Sequence, residues 1–248
     1  MNLLIATSKG LIRYDQRSRI LQKVHPELPG IYGISWTRDG NRLLAACSNG
    51  GHAVEFDDLA GYARSEVGTI FCGDHYSPGC LSAPHQIHCV DETYLLITNT
   101  GRNAVTKMRL DDFCTSSHRI DDVMWDRFDP SGQQGSHINS VFHIDDTVYI
   151  VAHNFLQGSK VYALSWPDMT VLRTWEFSVG GMHNVCPLDG RLLVCDSLNG
   201  CLVDALTGKT LWSNGGSGMT RCLAASERYL FIGDSSYSTR AQRANSSG

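Results

Sequence analysis

Three histidines and a small set of amides, carboxylates and guanidinium groups carry the chemistry this sequence offers. His85 lies in "PHQIHCVDETYLLITNT", His137 and Asn139 in "HINSVFHIDDTVYIVAHN", and His183 in "MHNVCPLDGRLLVCDS". Neutral imidazole binds Zn, Cu, Fe, Ni or Mn-type ions and titrates near neutral pH, whereas Asn and Asp oxygens suit Ca and Mg. If His85, His137 and His183 close on one point, they hold a divalent metal with open positions for water or substrate. Asp196 and Asp234 are the carboxylates placed to join that set. Without a metal, His85 or His183 is a general acid or base, with Asn139 and Arg221 as catalytic companions. Arg102, Asn99, Asn154, Tyr237 and Arg240 are candidates for holding the substrate, because guanidinium groups pair with carboxylate or phosphate.

These residues are positioned by a repeat. A short strand, a tight turn with Asp or Gly, and a strongly apolar second strand recur as "GISWTRDGNRLLAACS", "HQIHCVDETYLLITNT", "NSVFHIDDTVYIVAHN", "HNVCPLDGRLLVCDS" and "TRCLAASERYLFIGDS". The second strand alone opens the chain as "LLIATS". Further strands such as "AVTKMRL" and "KVYALS" follow most units, and Asp39-Gly40, Asp189-Gly190, Asn199-Gly200 and Thr207-Gly208 mark turns. No long amphipathic helix is legible. Units of about 40–50 residues with about four strands each are the signature of a β-propeller. Residues 1–248 therefore read as a single all-β propeller domain. Six second strands but five first strands predict six blades with the last incomplete, five blades being the alternative.

The repeat sorts the candidates. The start of a first strand and the end of its second lie at one end of the propeller, near the axis. That slot carries His85, His137 or Asn139, His183, and Thr220 or Arg221. The second-strand ends supply Asn99, His153 with Asn154, Asp196 and Asp234. Any single position has an ordinary explanation, since Asn and Asp after a strand commonly close an Asx-turn. Three blades offering His at one place point to an axial pocket. His88 and His143, displaced along their strands, read as packing residues.

Composition narrows the function classes. The chain is 42% hydrophobic and 19% charged with a net charge of −4, which gives no reason to expect nucleic acid or an anionic membrane. The N-terminus lacks the pattern of a signal peptide, and no apolar stretch is long enough to span a bilayer, so a cytoplasmic location is expected. The nine cysteines form no C-x-x-C pair and read as reduced core thiols. Phosphate-loop, dinucleotide, nucleophile-elbow and H-E-x-x-H motifs are absent from the sequence.

"YLLITNTGRNAVTKMRL" resembles the strand–turn–strand of NHL-repeat and gluconolactonase-like six-bladed propellers, and "HQIH", "HINSV" and "MHNV" are similar to first strands of one subgroup. The resemblance implies a divalent cation in the axial pocket, held in gluconolactonase-like enzymes by Glu, Asn and Asp. Asn99, Asn154, Asp196 and Asp234 fall at comparable blade ends; no Glu matches, and histidines stand in the pocket instead. Two functions stay open. One is a metal-dependent hydrolase or lyase acting on a small polar or anionic substrate. The other is a non-catalytic propeller that binds a protein or carbohydrate partner through its face loops.

Overall fold

Burial rises and falls across each repeat, and that gradient is what stacks the sheets. The computed structural model describes residues 2–7, 10–24, 30–48, 59–64, 70–76, 80–120, 136–154 and 157–237. Its first sheet contains β1 (Asn2–Thr7), β2 (Gly10–Asp15) and β3 (Ile20–Lys23). Four four-stranded meanders follow. They are β4 (Gly30–Trp36), β5 (Arg42–Ser48), β6 (Leu59–Arg64) and β7 (Ile70–Tyr76); then β8 (Pro84–Cys89), β9 (Tyr94–Asn99), β10 (Ala104–Arg109) and β11 (Thr115–His118). The next two are β12 (Ile138–Ile144), β13 (Thr147–Ala152), β14 (Lys160–Ser165) and β15 (Val171–Glu176), and β16 (Met182–Leu188), β17 (Arg191–Asp196), β18 (Cys201–Asp204) and β19 (Lys209–Ser213). A two-stranded sheet, β20 (Met219–Ala225) and β21 (Leu230–Ser235), ends the described chain.

Second strands are continuous apolar runs because both their faces are covered. Leu95, Leu96, Ile97, Thr98 and Asn99 of β9 are fully buried, as are Val194 and Cys195 of β17. The outermost strands β3 and β15 are mostly exposed, apolar Ile20, Leu21, Val171 and Leu172 included. Apolar clusters bridge neighbouring sheets: Leu96 and Val105 meet Val141, Ile150 and Leu164, and Val151 and Val161 meet Val185 and Val194. Each such side chain contributes about 1.5–3 kcal/mol by leaving water. First strands pack side by side in order, β4 on β8, β8 on β12, β12 on β16 and β16 on β20. This is the radial stacking of an all-β propeller.

The turn signals hold. Asp189 and Gly190 both take positive φ, 50° and 73°, as a two-residue hairpin turn requires, and Gly40, Gly200 and Gly208 do likewise. Cys47, Cys89, Cys186 and Cys195 are buried free thiols, while Cys222, read from sequence as a core residue, is exposed. Beside the last sheet a groove of about 610 Å³ opens between Leu202, Leu211 and Trp212 on one side and Leu230 and Ile232 on the other. Among the described residues β21 has no third strand outside it, so Trp212 stays 40% exposed.

Every first strand carries a β-bulge near its start. The register slips between Ile31 and Gly33, Pro84 and Ile87, Ile138 and Ser140, His183 and Val185, and Thr220 and Cys222. A bulge adds a residue and turns its neighbours to a new direction, which places side chains that simple alternation would not.

Candidate functional site

The bulge decides which side chains face the axis and which tie the sheets together. The residue two before the register resumes is Ile31, His85, Ile138, His183 and Thr220 in the five first strands; the residue after it is Tyr32, Gln86, Asn139, Asn184 and Arg221. His85 and His183 thus share a slot. His137 does not: it stands one residue earlier than that slot, just before β12, and is held at a left-handed φ of 53°. For a bulky residue that conformation costs about 1 kcal/mol, so the fold around it must enforce it.

The imidazoles do come together, in an arc rather than at one point. The ring of Tyr32 lies 5.3 Å from His85, His85 lies 5.1 Å from His137, His137 lies 5.1 Å from His153, and His153 lies 5.0 Å from His183, centroid to centroid. The three His–His contacts are edge-to-face, the favoured aromatic geometry. His153 closes the arc between His137 and His183. His153 stands at a second-strand end, where strand spacing gives no reason to prefer it to Asn154, and nothing in the residues around Tyr32 marks that side chain in the sequence.

Two rings are locked in one tautomer. His85 Nδ1 lies 2.9 Å from the carbonyl of Ala83, and His183 Nδ1 lies 2.9 Å from the carbonyl of Gly181. A carbonyl only accepts, so Nδ1 carries the proton in both, and the lone pair of the neutral ring is on Nε2. Ser197 reinforces the choice: its hydroxyl donates to the carbonyl of Thr220, and its oxygen, 2.8 Å away, accepts from His183 Nδ1. An imidazole anchored through Nδ1 in this way is oriented to use Nε2 as a base or ligand.

Burial and nearby positive groups disfavour charge on His183 and His153. Burial pushes His183 well below the usual histidine value, and the Arg221 guanidinium and then His153 push it further. His153 falls to about 4, mainly through burial and then through Arg221 and His85. A cation and other imidazoles are the charged neighbours of both rings, so His153 and His183 stay neutral at neutral pH.

The other candidates have different surroundings. Asn99 is fully buried and spent on structure: its carbonyl accepts from the Ser82 amide and its NH2 donates to Cys80 O and Thr106 Oγ1. Asn139 donates 2.9 Å to the carbonyl of Met182 on the next first strand and accepts from Ser140. Gln86 and Asn184 do the same work, accepting from Val141 N and donating to Arg221 O. Asp196 accepts from the side chain and backbone of Asn199, the Asx-turn that its position allowed, and exposed Asp234 accepts from Asn214. Asn154 has a left-handed φ of 53° and bonds Ser136 through its backbone. Arg102 shares an open groove with Cys80, Ser117 and Arg119, the latter two belonging to and following the outermost strand of its sheet. Tyr237 donates 2.9 Å to the carbonyl of Leu198, and Arg240 lies outside the described residues. His88 packs on Phe142, 4.6 Å away, as a packing residue should.

Among the described residues, no three His, Cys, Asp or Glu side chains are disposed to hold a metal ion. The carboxylates of Asp196 and Asp234 accept hydrogen bonds from turn and loop amides. No helix among the described residues is long and apolar enough to cross a membrane.

The comparisons agree with the architecture and go no further. No family model matches the sequence, and neither does any curated protein. Among solved structures, the chain is similar to one in a crystal structure of a nidogen/laminin complex, with a TM-score of 0.67 and 11% identity, covering 94% of this chain and 85% of that one. At that identity the likeness shows the fold alone, an all-β propeller.

Proposed function

We propose that the arc His85–His137–His153–His183 is the active site of a hydrolase or lyase for a small anionic substrate. The observation that carries the reading is the arc itself: four imidazoles from three successive sheets in edge-to-face contact, under the influence of one guanidinium. Arg221 pairs with the negative group of the substrate. His183 and His85, fixed as Nδ1–H tautomers, take or return a proton at Nε2. We read the sheet β20–β21 as the sixth, incomplete blade, in keeping with the NHL- and gluconolactonase-like pattern. A divalent transition metal is a cofactor whose chemistry imidazole donors suit; if the arc held one, a single imidazole Nε2 with water or substrate would have to supply its ligands, since among the described residues no three side chains there are disposed around one ion.

The test is turnover and ligand-induced thermal stabilisation with a panel of small carboxylates, esters and lactones, alongside metal analysis of the purified protein. Loss of turnover in folded His183→Gln and His85→Gln supports the reading. Turnover that survives in the double variant overturns it. Stoichiometric metal that either single variant loses assigns that residue's Nε2 to a metal.

A second reading is favoured by one observation, that the similar solved chain belongs to a protein complex. In it the propeller is not an enzyme and binds a protein or carbohydrate through its face loops. Affinity for such a partner that is unchanged in the double His→Gln variant supports this alternative.

A further inference from the structure

Arg102 borders a groove of about 580 Å³ together with Cys80, Ala104, Ser117 and Arg119. That volume falls in the range of small-molecule sites, about 300–1,000 Å³. The groove stands over the outer half of the sheet β8–β11: Ala104 begins its third strand, Ser117 belongs to its fourth, and Arg119 follows the fourth. Thr106 and Ser117 are cross-strand partners, and Ala104 and Arg119, two residues away along each strand, alternate onto the same face. Arg102 comes from the short 3-10 turn Thr100–Arg102. That turn is clamped on both sides, by the Gly101 amide on Ser82 O and the Asn103 amide on Thr100 O. A Cβ at Gly101 would stand 2.3 Å from Ser82 Oγ, so the turn lies close against the chain that leads to β8.

The polar groups on this groove are arranged as donors. Asn99 Oδ1 accepts from the Ser82 amide at 2.8 Å, which turns its NH2 toward Cys80 O at 2.9 Å and Thr106 Oγ1 at 3.1 Å. Thr106 is fully buried, and a buried hydroxyl left without an acceptor is costly. Its proton therefore goes to Ser117 Oγ, 2.9 Å away, because Asn99 already donates to Thr106. Ser117 receives that bond and has its own proton left to give. One buried amide thus fixes the Cys80 backbone at the groove and, through Thr106, the polarity of the Ser117 hydroxyl. Arg102 and Arg119 add guanidiniums, which only donate; each has five N–H groups, so a bond within the protein does not exhaust them.

We propose that this groove binds a phosphate monoester, whose phosphoryl oxygens accept from Arg102, Arg119 and Ser117 while its organic part lies along Ala104 and Cys80. A ligand here has to be an acceptor, and two guanidiniums select an anion. At neutral pH a phosphate monoester carries about −1.5 to −2 charges and three acceptor oxygens, and charge-assisted bonds to it are roughly twice as strong as neutral ones. The donors come from three backbone positions, one on the turn and two on or just after β11. That spread suits oxygens disposed tetrahedrally, whereas a carboxylate offers two in one plane. The chain as a whole carries a net charge of −4, so the attraction is local to the groove. The site is separate from the arc and uses neither its imidazoles nor Arg221. No bond forms or breaks; the ligand is held.

Phenyl phosphate, inorganic phosphate and acetate are the probes, titrated into the full chain at neutral pH. Amide NMR reads where they bind and calorimetry reads how tightly. Phenyl phosphate is expected to shift the amides of Arg102, Ala104, Ser117 and Arg119 and to bind several-fold more tightly than inorganic phosphate. Acetate is expected to bind at least about tenfold more weakly than phenyl phosphate. Arg119 is exposed, so Arg119→Gln leaves the fold intact; it is expected to lose at least about tenfold in phenyl phosphate affinity. Ser117→Ala is expected to lose about 3- to 10-fold. The wild-type titration needs no variant: those four amides unmoved by phenyl phosphate up to about 10 mM overturn the proposal. Affinity unchanged in the folded double variant Arg102→Gln/Arg119→Gln overturns it too. Inorganic phosphate or acetate bound as tightly as the ester marks a plain anion contact and overturns the monoester assignment. Phenyl phosphate binding that is lost only in Arg221→Gln refutes this site and supports the arc as the anion site. Binding lost in Arg119→Gln, in a chain that turns over nothing, leaves this site standing and removes only the catalytic reading of the arc.

Discussion

The imidazoles of His153 and His183 meet edge to face, with centroids 5.0 Å apart and planes at 83°, although they belong to different sheets. His153 follows the second strand of one sheet and His183 lies in the first strand of the next. Their contact joins the two halves of the arc, so whatever moves one sheet against its neighbour moves the site.

That contact rests on a fixed tautomer. Long-range proton–nitrogen NMR on the neutral protein is expected to show His85 and His183 protonated at Nδ1, the form their carbonyl partners dictate. Ser197→Ala removes one acceptor from His183 and the donor to Thr220, and should cost about 0.5–1.5 kcal/mol while leaving the tautomer in place through Gly181. An Nε2–H signal for either ring would contradict the assignment.

Acid should unfold this protein through its histidines. His88 falls to about 4, chiefly by burial and then through the nearby His143, and His153 falls to about 4 by burial, Arg221 and His85. Both are raised to 6.5 on unfolding, so the unfolded chain binds the extra protons. Their contribution is complete above about pH 6.5, is lost as pH falls toward 4, and does not change further below that. The loss is on the order of 3 kcal/mol per ring. Urea denaturation between about pH 4 and 8 measures it, and His88→Phe, which can still pack on Phe142, should flatten the acid limb.

Asn139 belongs to the scaffold as much as to any site. Asn139→Ala leaves the Met182 carbonyl without that donor in a buried position and should destabilise by about 1–3 kcal/mol in chemical denaturation. Turnover measured on folded Asn139→Ala at low temperature should fall far less than in His183→Gln, because the side chain is directed at the next strand.

Gly33 marks the closest approach of two first strands. A Cβ there would stand 2.2 Å from the carbonyl oxygen of His85 and under 3 Å from Gln86 backbone, so Gly33→Ala must push β8 away from β4. It should destabilise by about 1–3 kcal/mol. It should also shift the His85 imidazole resonances, whereas Gly190→Ala, with nothing near its Cβ position, should leave them unchanged and cost only backbone strain.

Much of the architecture was fixed by local pattern. The runs "YLLITN" and "RLLVCD" had to be strands covered on both faces, Asp-Gly and Asn-Gly had to turn, and repetition of the unit had to build a propeller. The repeat also identified His85 and His183 as occupants of one slot and His88 as a packing residue. Alternation tells which face of a strand a side chain takes, and that information survives folding.

What alternation does not carry is the bulge and the spacing between sheets. The extra residue at Tyr32, Gln86, Asn139, Asn184 and Arg221 turns the amides toward the neighbouring strand and leaves His137 one step out of the slot that repeat position assigns it. Packing of one sheet against the next then brought His153 between His137 and His183, a relationship between residues of different sheets that neither strand encodes alone. Asn99 and Asp196 read as ligands by position and became structural by their hydrogen bonds, because buried polar groups take the nearest partner. The sequence by itself determined the strands and the end of the propeller where the histidines gather; tertiary packing decided which of them touch.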